Sequence, residues 1–168
     1  MKLVQQVVIT APIARVFDLV RSVDVHTATS GGIGGRAVGG KTSGLAETND
    51  VTVWSARFFG LRFKLATRVT LIKSPHCIVE ILERGLFSEF GHIYTLRPLE
   101  SGAVELTDAF SFRSPFGVIG ALFDGLILKP VMTRAMIDRL EGLRRIAESD
   151  EWRRFLPGTE LPDPERLK

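Results

Sequence analysis

Two ionisable side chains, His92 and Asp108, stand out because the pattern around them brings them together. Both lie in runs where apolar residues recur at alternate positions: Phe90, Tyr94 and Leu96 in one, Val104, Leu106, Phe110 and Phe112 in the other. Such alternation marks strands with one dry face. A hairpin that closes across Leu99 to Ser101 sets Leu96 against Val104, Tyr94 against Leu106 and His92 against Asp108, all on the inward side. A buried carboxylate is costly without a partner, so the two side chains can simply satisfy each other. They can equally anchor a carbonyl or hydroxyl of a bound molecule. A third role is general acid and base. The sequence leaves all three open, with His92 and Asp108 as the candidates for a catalytic pair.

Other reactive groups fall short. His26, His76 and His92 lie on different elements without metal-ligand spacing, so no metal is expected. An Arg84-Gly85 turn would pair Ile81 with Ser88, Val79 with Phe90 and Cys77 with His92, placing Cys77 inward as a packed thiol. Gly35-Arg-Ala-Val-Gly-Gly40-Lys41-Thr42 matches the phosphate-loop pattern letter for letter, and Gly32-Ile-Gly34-Gly-Arg-Ala37 imitates a dinucleotide fingerprint. Both chemistries need a strand before the loop and a helix after it. Neither is legible here, and no cofactor is expected.

The positioning elements follow from periodicity. Lys2 to Thr10 is a β-branched run that stops at Ala11-Pro12 and reads as a strand. Ile13, Val16, Phe17 and Val20 then recur at helical spacing, and Ser22 and Asp24 offer N-caps for a second short helix to about Thr29. Glycines between Gly31 and Gly44 predict a loop. From Leu45 to Phe112 the period becomes two. In the clearest stretch Leu61, Phe63, Leu65, Val69 and Leu71 share one face and Arg62, Lys64 and Arg68 the other. Turn signals at Phe59-Gly60, Ser74-Pro75, Arg84-Gly85 and Glu100-Ser101-Gly102 make this a meander of hairpins. The first of these turns pairs Phe58 with Leu61, Ala56 with Phe63 and Trp54 with Leu65.

Ser114-Pro115 restarts helix, with the apolar run Phe116 to Leu128 read as buried and Pro130 as a kink or break. Met132, Met136, Leu140, Leu143 and Ala147 then mark a long amphipathic helix, with Arg134, Asp138, Arg139, Glu141 and Arg145 elsewhere on the wheel.

With 168 residues, 45% of them apolar, the chain can bury a core. Residues 1–150 read as one domain and 151–168 as an irregular tail. Net charge is +3, from 22 basic and 19 acidic residues, and the cations are scattered singly along strands. That pattern speaks against a nucleic-acid partner, which needs a basic run or face. The N-terminus turns polar too soon for a signal peptide, and no run approaches the length of a spanning helix. The lone cysteine fits a reducing compartment. A cytoplasmic protein without stable membrane insertion is the expectation.

In order and motif the chain resembles the START-like, or SRPBCC, superfamily, and within it the polyketide cyclase/dehydrase-like branch. The residues that carry the resemblance are Phe17-Asp18-Leu19-Val20, Gly40-Lys41-Thr42-Ser43-Gly44-Leu45, Trp54-Ser55-Ala56-Arg57-Phe58-Phe59-Gly60, Gly85-Leu86-Phe87 with Phe90 and His92, Thr107-Asp108 and Ser114-Pro115-Phe116-Gly117. The resemblance implies an α+β helix-grip fold: a strand, two helices, six strands and a long C-terminal helix, with a curved antiparallel sheet of roughly seven strands around that helix. It further implies a cavity for a lipid, a polyketide, a hormone or another hydrophobic small molecule.

In such a fold Trp54, Phe58, Phe63, Phe90, Tyr94, Phe110 and Phe112 would wall the cavity. Met132 and Met136 would roof it, and His92 and Asp108 would be its polar point. Binding or transport of an apolar ligand is the leading functional reading. A cyclase or dehydratase using His92 and Asp108 and a protein-interaction module are the alternatives.

Overall fold

Alternation along Lys2–Ile9 buries Leu3, Val7 and Ile9 and leaves Val4 and Val8 in solvent, so the first element (β1) is a strand with one dry face. The computed structural model describes residues 1–30, 35–58 and 60–158. After β1 come α1 (Ile13–Arg21), α2 (Val23–Thr29), β2 (Arg36–Gly40), β3 (Val51–Phe58), β4 (Leu61–Lys73), β5 (Cys77–Arg84), β6 (Glu89–Pro98) and β7 (Val104–Arg113). The C-terminal part holds α3 (Gly117–Phe123), a π-helical turn (Asp124–Leu128), α4 (Lys129–Glu148) and a 3-10 turn (Asp150–Arg154).

The strands form one antiparallel sheet in the order β1-β7-β6-β5-β4-β3-β2. Consecutive hairpins build β2 to β7, and β1 joins the far edge by pairing Leu3 with Phe110 and Ile9 with Val104. This is an α+β curved sheet gripping a long C-terminal helix. Leu140, Leu143, Ile146 and Ala147 of α4 share a buried cluster with Ile9, Leu96, Leu106 and the apolar side of α1. Met132, Met136 and Leu128 share a second one with Leu3, Phe110 and Phe112. Trp152 and Leu156, beyond α4, are also buried in the first cluster. Ser22 caps α2 by accepting the Val25 amide, a contact worth about 1 kcal/mol.

Several expectations change. The glycine-rich stretch holds an edge strand, β2, paired to β3 with a bulge between Ala37 and Gly39. A Cβ on Gly40, whose φ is +65°, would lie 2.1 Å from the Val51 carbonyl oxygen. Glycine here serves close strand approach, most of the phosphate-loop letters fall on β2, and the Lys41 amide just beyond it donates to the Val51 carbonyl. Gly32 to Gly34 of the dinucleotide-like pattern, Phe59, the Phe58 side chain and the tail beyond Gly158 lie outside the described residues.

The β3–β4 register has Phe58 opposite Leu61, Ala56 opposite Phe63 and Trp54 opposite Leu65. Farther along β4 the ladder with β5 shifts between Val69 and Leu71, which turns Leu71 outward and Ile72 inward. The β5–β6 register is corrected: Ile78 faces Tyr94, Glu80 faces His92 and Cys77 faces Thr95. Leu86 and Phe87 leave the ladder, and Phe87 packs on Phe90 and Phe112, which lengthens the turn and reverses the parity of β5. Cys77 is therefore not on the inward row. In the last hairpin Leu96 faces Leu106, Tyr94 faces Asp108 and His92 faces Phe110, two residues from the expected register. The loop is Glu100-Ser101-Gly102, closed by the Leu99 amide on the Ala103 carbonyl, with Gly102 at φ +81°. A three-residue loop of this kind ends on a left-handed residue, and glycine supplies it.

The C-terminal helix begins at Gly117 rather than Ser114, and Pro130 does not break it. The preceding turn widens to π geometry, with the Lys129 amide bonded to the Asp124 carbonyl, and Pro130 enters the first turn of α4. The run Phe116 to Leu128 is not buried: Gly120, Asp124 and Leu128 face inward at intervals of four, while most of its apolar side chains face out. No helix among the described residues is long and apolar enough to cross a membrane.

Candidate functional site

The inner face of β6 carries Phe90, His92 and Tyr94, and that of β7 carries Asp108, Phe110 and Phe112. Strand pairing stacks the His92 ring on Phe110, centroids 4.3 Å apart at 15°, and sets it parallel to Tyr94 at 5.4 Å. Held this way, the His92 Nδ1 lies 2.8 Å from the Asp108 Oδ1. The contact runs along a diagonal of the ladder, since Asp108 is directly opposite Tyr94. Asp108 is fully buried, and its Oδ2 has no protein partner. With the carboxyl ionised, Nδ1 carries the ring proton and donates it, leaving Nε2 as the free acceptor.

A second polar chain enters from the opposite wall. The Trp54 Nε1 donates to the Thr67 hydroxyl at 2.9 Å, and that hydroxyl donates to Glu80. His26 of α2 stacks on Trp54 with centroids 4.0 Å apart. Burial pushes its imidazole well below the ordinary range, with the charge of Arg139 and that of His92 whenever its ring is protonated adding to the effect, so the His26 ring is neutral near pH 7. Arg139 is buried beneath the sheet, its guanidinium 5.5 Å from the Tyr94 ring centre and its Nη2 3.5 Å from the Val20 carbonyl. Its Nη1 has no protein partner. Burial also pushes the Tyr94 phenol well above its usual range.

These groups surround a cavity of about 90 Å³. Trp54, Phe90, His92, Asp108, Phe110, Met132 and Met136 line it, together with His26, Ser30, Leu65, Thr67, Glu80, Ala135 and Arg139. Tyr94 lies beside it, on a smaller void shared with Arg139 and Glu80. Phe63 instead lines a wider apolar groove of about 420 Å³ with Leu86, Phe87, Phe116, Ile119 and Phe123. Leu65 lines both spaces. Phe112 is core. Among the described residues no three His, Cys, Asp or Glu side chains gather as metal ligands.

Several wall residues were not among those expected from the sequence, and three of them are ionisable: Glu80, Arg139 and His26. Glu80 follows from the true parity of β5. Arg139 was expected off the apolar stripe of the wheel, although it lies three residues after Met136 and so shares its face. His26 gave no signal beyond its place in α2.

No family model matches the chain, and no curated protein matches it. Solved structures do. TTHA0849 from Thermus thermophilus superposes with a TM-score of 0.70 at 14% identity, over 86% of this chain and 95% of that one. The Zhui aromatase/cyclase from a Streptomyces species gives 0.68 at 15% identity, over 94% and 98%. A START superfamily protein from Mycobacterium smegmatis gives 0.66 at 14%, over 88% and 97%. At such identities the likeness shows the fold alone, and it agrees with the sheet order and the helix placement: the chain has the helix-grip fold that these structures share.

Proposed function

We propose that the chain binds or carries a hydrophobic small molecule whose polar end meets the His92–Asp108 pair. The observation that carries this reading is the shared wall at Leu65. Leu65 stands between an apolar groove of small-molecule size and an inner cavity where polar groups converge, so the two spaces are adjacent. The inner cavity alone, at about 90 Å³, holds only a small group. The apolar body would lie in the groove and its oxygen would reach inward. There the His92 Nε2 can accept from a hydroxyl, while the unpartnered Arg139 Nη1 can donate to a carbonyl. Met132 and Met136 suit such a site because thioethers repack around different shapes.

An acid–base role for His92 is the second reading, favoured by the carboxylate behind its ring. The first test is native mass spectrometry of the purified protein, with displacement of bound anilinonaphthalene sulfonate as a titration. The reading predicts saturable dye binding that Leu65→Trp weakens by about tenfold or more, with wild-type thermal stability. Dye binding indifferent to Leu65→Trp sinks it. Asp108→Asn that leaves ligand affinity unchanged removes the polar anchor from the proposal.

A further inference from the structure

The segment from Phe116 to Leu126 exposes its apolar side chains to an unusual degree. Phe116 is 83% exposed, Val118 87%, Ile119 76%, Leu122 63% and Leu126 70%. A contiguous apolar surface of this kind on a folded protein marks an interaction site. The fold holds the segment in place rather than letting it collapse inward. The buried Asp124 accepts the Ser114 amide at 3.0 Å, tying the entry turn to the helix. Phe116 itself sits at φ 74°, a left-handed conformation that bulky residues rarely adopt, and so turns its ring outward.

What covers this face is indicated by charge. Phe116 and Ile119 share the groove with Lys64 and Leu86. Around Lys64 the outer face of the sheet carries a group of cations without carboxylate partners among the described residues. Arg57 and Arg62 stand directly opposite each other on β3 and β4, a like-charge pairing that disfavours the hairpin. Lys64 and Arg36 flank Ser55 on either side, and Arg84 is opposite Ala66. None of these five has a carboxylate at ion-pair distance among the described residues. The nearby Glu83 and Glu89 are held by Arg68 and Arg113. A second copy of the chain would bring these cations against one another. An anionic lipid bilayer offers both complements, phosphate at the surface and hydrocarbon beneath.

We propose that this end of the molecule docks reversibly on an anionic bilayer, with the apolar side chains of α3 and the π-helical turn in the interface and Arg57, Arg62 and Lys64 against the headgroups. The groove would then open toward the hydrocarbon. The docking does not depend on what the inner cavity holds.

The test is co-sedimentation of the full chain with phosphatidylcholine vesicles, alone or with about one-third phosphatidylglycerol. Wild type should bind the anionic vesicles, and more weakly at high salt. Ile119→Asp/Leu122→Asp, at exposed positions, should lower partitioning by about a hundredfold, and Arg57→Gln/Arg62→Gln by about tenfold. Thermal unfolding checks that both variants stay folded, and each is an independent arm. Absence of wild-type binding overturns the proposal, as does binding indifferent to both variants. It is overturned too if sedimentation velocity finds a wild-type dimer that Ile119→Asp/Leu122→Asp makes monomeric, because the face is then a self-interface.

Discussion

The His92 ring reaches Asp108 along a diagonal of the β6–β7 ladder, with Nδ1 2.8 Å from Oδ1, while Tyr94 occupies the position directly opposite the carboxylate. The aromatic neighbours fix the ring, and the ring satisfies one oxygen of a fully buried carboxylate. Removing His92 leaves the carboxylate buried and unpaired, and removing Asp108 leaves a partly buried imidazole without its partner.

Asp108→Ala should therefore cost about 2–4 kcal/mol of folding stability, more than loss of one ordinary hydrogen bond. His92→Phe keeps the stacking surface but strands the carboxylate, and should cost a similar amount. Urea unfolding of the two variants and of the double variant checks this: the double should cost less than the sum.

His26 gives a pH signature. Its folded imidazole is held below the ordinary value by burial, Arg139 and His92, so the unfolded chain binds the extra proton first. Stability is full above about pH 6.5 and falls below it, by about 1.4 kcal/mol per pH unit, until the folded ring titrates. The urea midpoint at pH 7.5 and pH 5.0 should drop more for wild type than for His26→Phe, which retains the stack on Trp54. An equal drop in both would remove His26 as the source.

Thr67→Val deletes the hydroxyl that both accepts from Trp54 and donates to Glu80. Two polar groups lose their partner at once, and the expected cost is about 1–3 kcal/mol. Tryptophan emission should shift relative to wild type, since Trp54 gains a free indole N–H. Unchanged emission and stability would show that the chain of bonds contributes little.

Gly120→Ala separates two principles of opposite sign. Helix propensity alone predicts a gain of about 1 kcal/mol. A Cβ at this position would meet the Pro115 carbonyl oxygen at 2.0 Å, however, so the entry turn must open. The expected result is a loss of about 2 kcal/mol, with faster proteolysis between Ser114 and Asp124. A stabilised Gly120→Ala protein would contradict this close packing of Gly120 on Pro115.

Much of the architecture was legible because side-chain period is local. Alternation around Phe63 and Leu65, the glycine after Phe59 and the Ser22 cap each act within a few residues, and they name strands, a hairpin and a helix start without reference to the rest of the chain. The inward parity of His92 and Asp108 was legible for the same reason, and a register error of two residues preserves it. The error of three at the β5–β6 turn does not, and so Cys77 was placed inward in place of Glu80.

Periodicity and short turns set the order of elements, the dry face of most strands and the nearness of His92 to Asp108. Tertiary structure alone decided the rest. Phe87 left its ladder because Phe90 and Phe112 offered it a packing site, and that fixed which β5 residues face the cavity. Arg139 became buried because its face of α4 lies over Tyr94 and beside Val20. The apolar run Phe116 to Leu126 stayed outside because only the Gly120, Asp124 and Leu128 stripe had a surface to meet, and no local pattern states how much core is left to cover a helix.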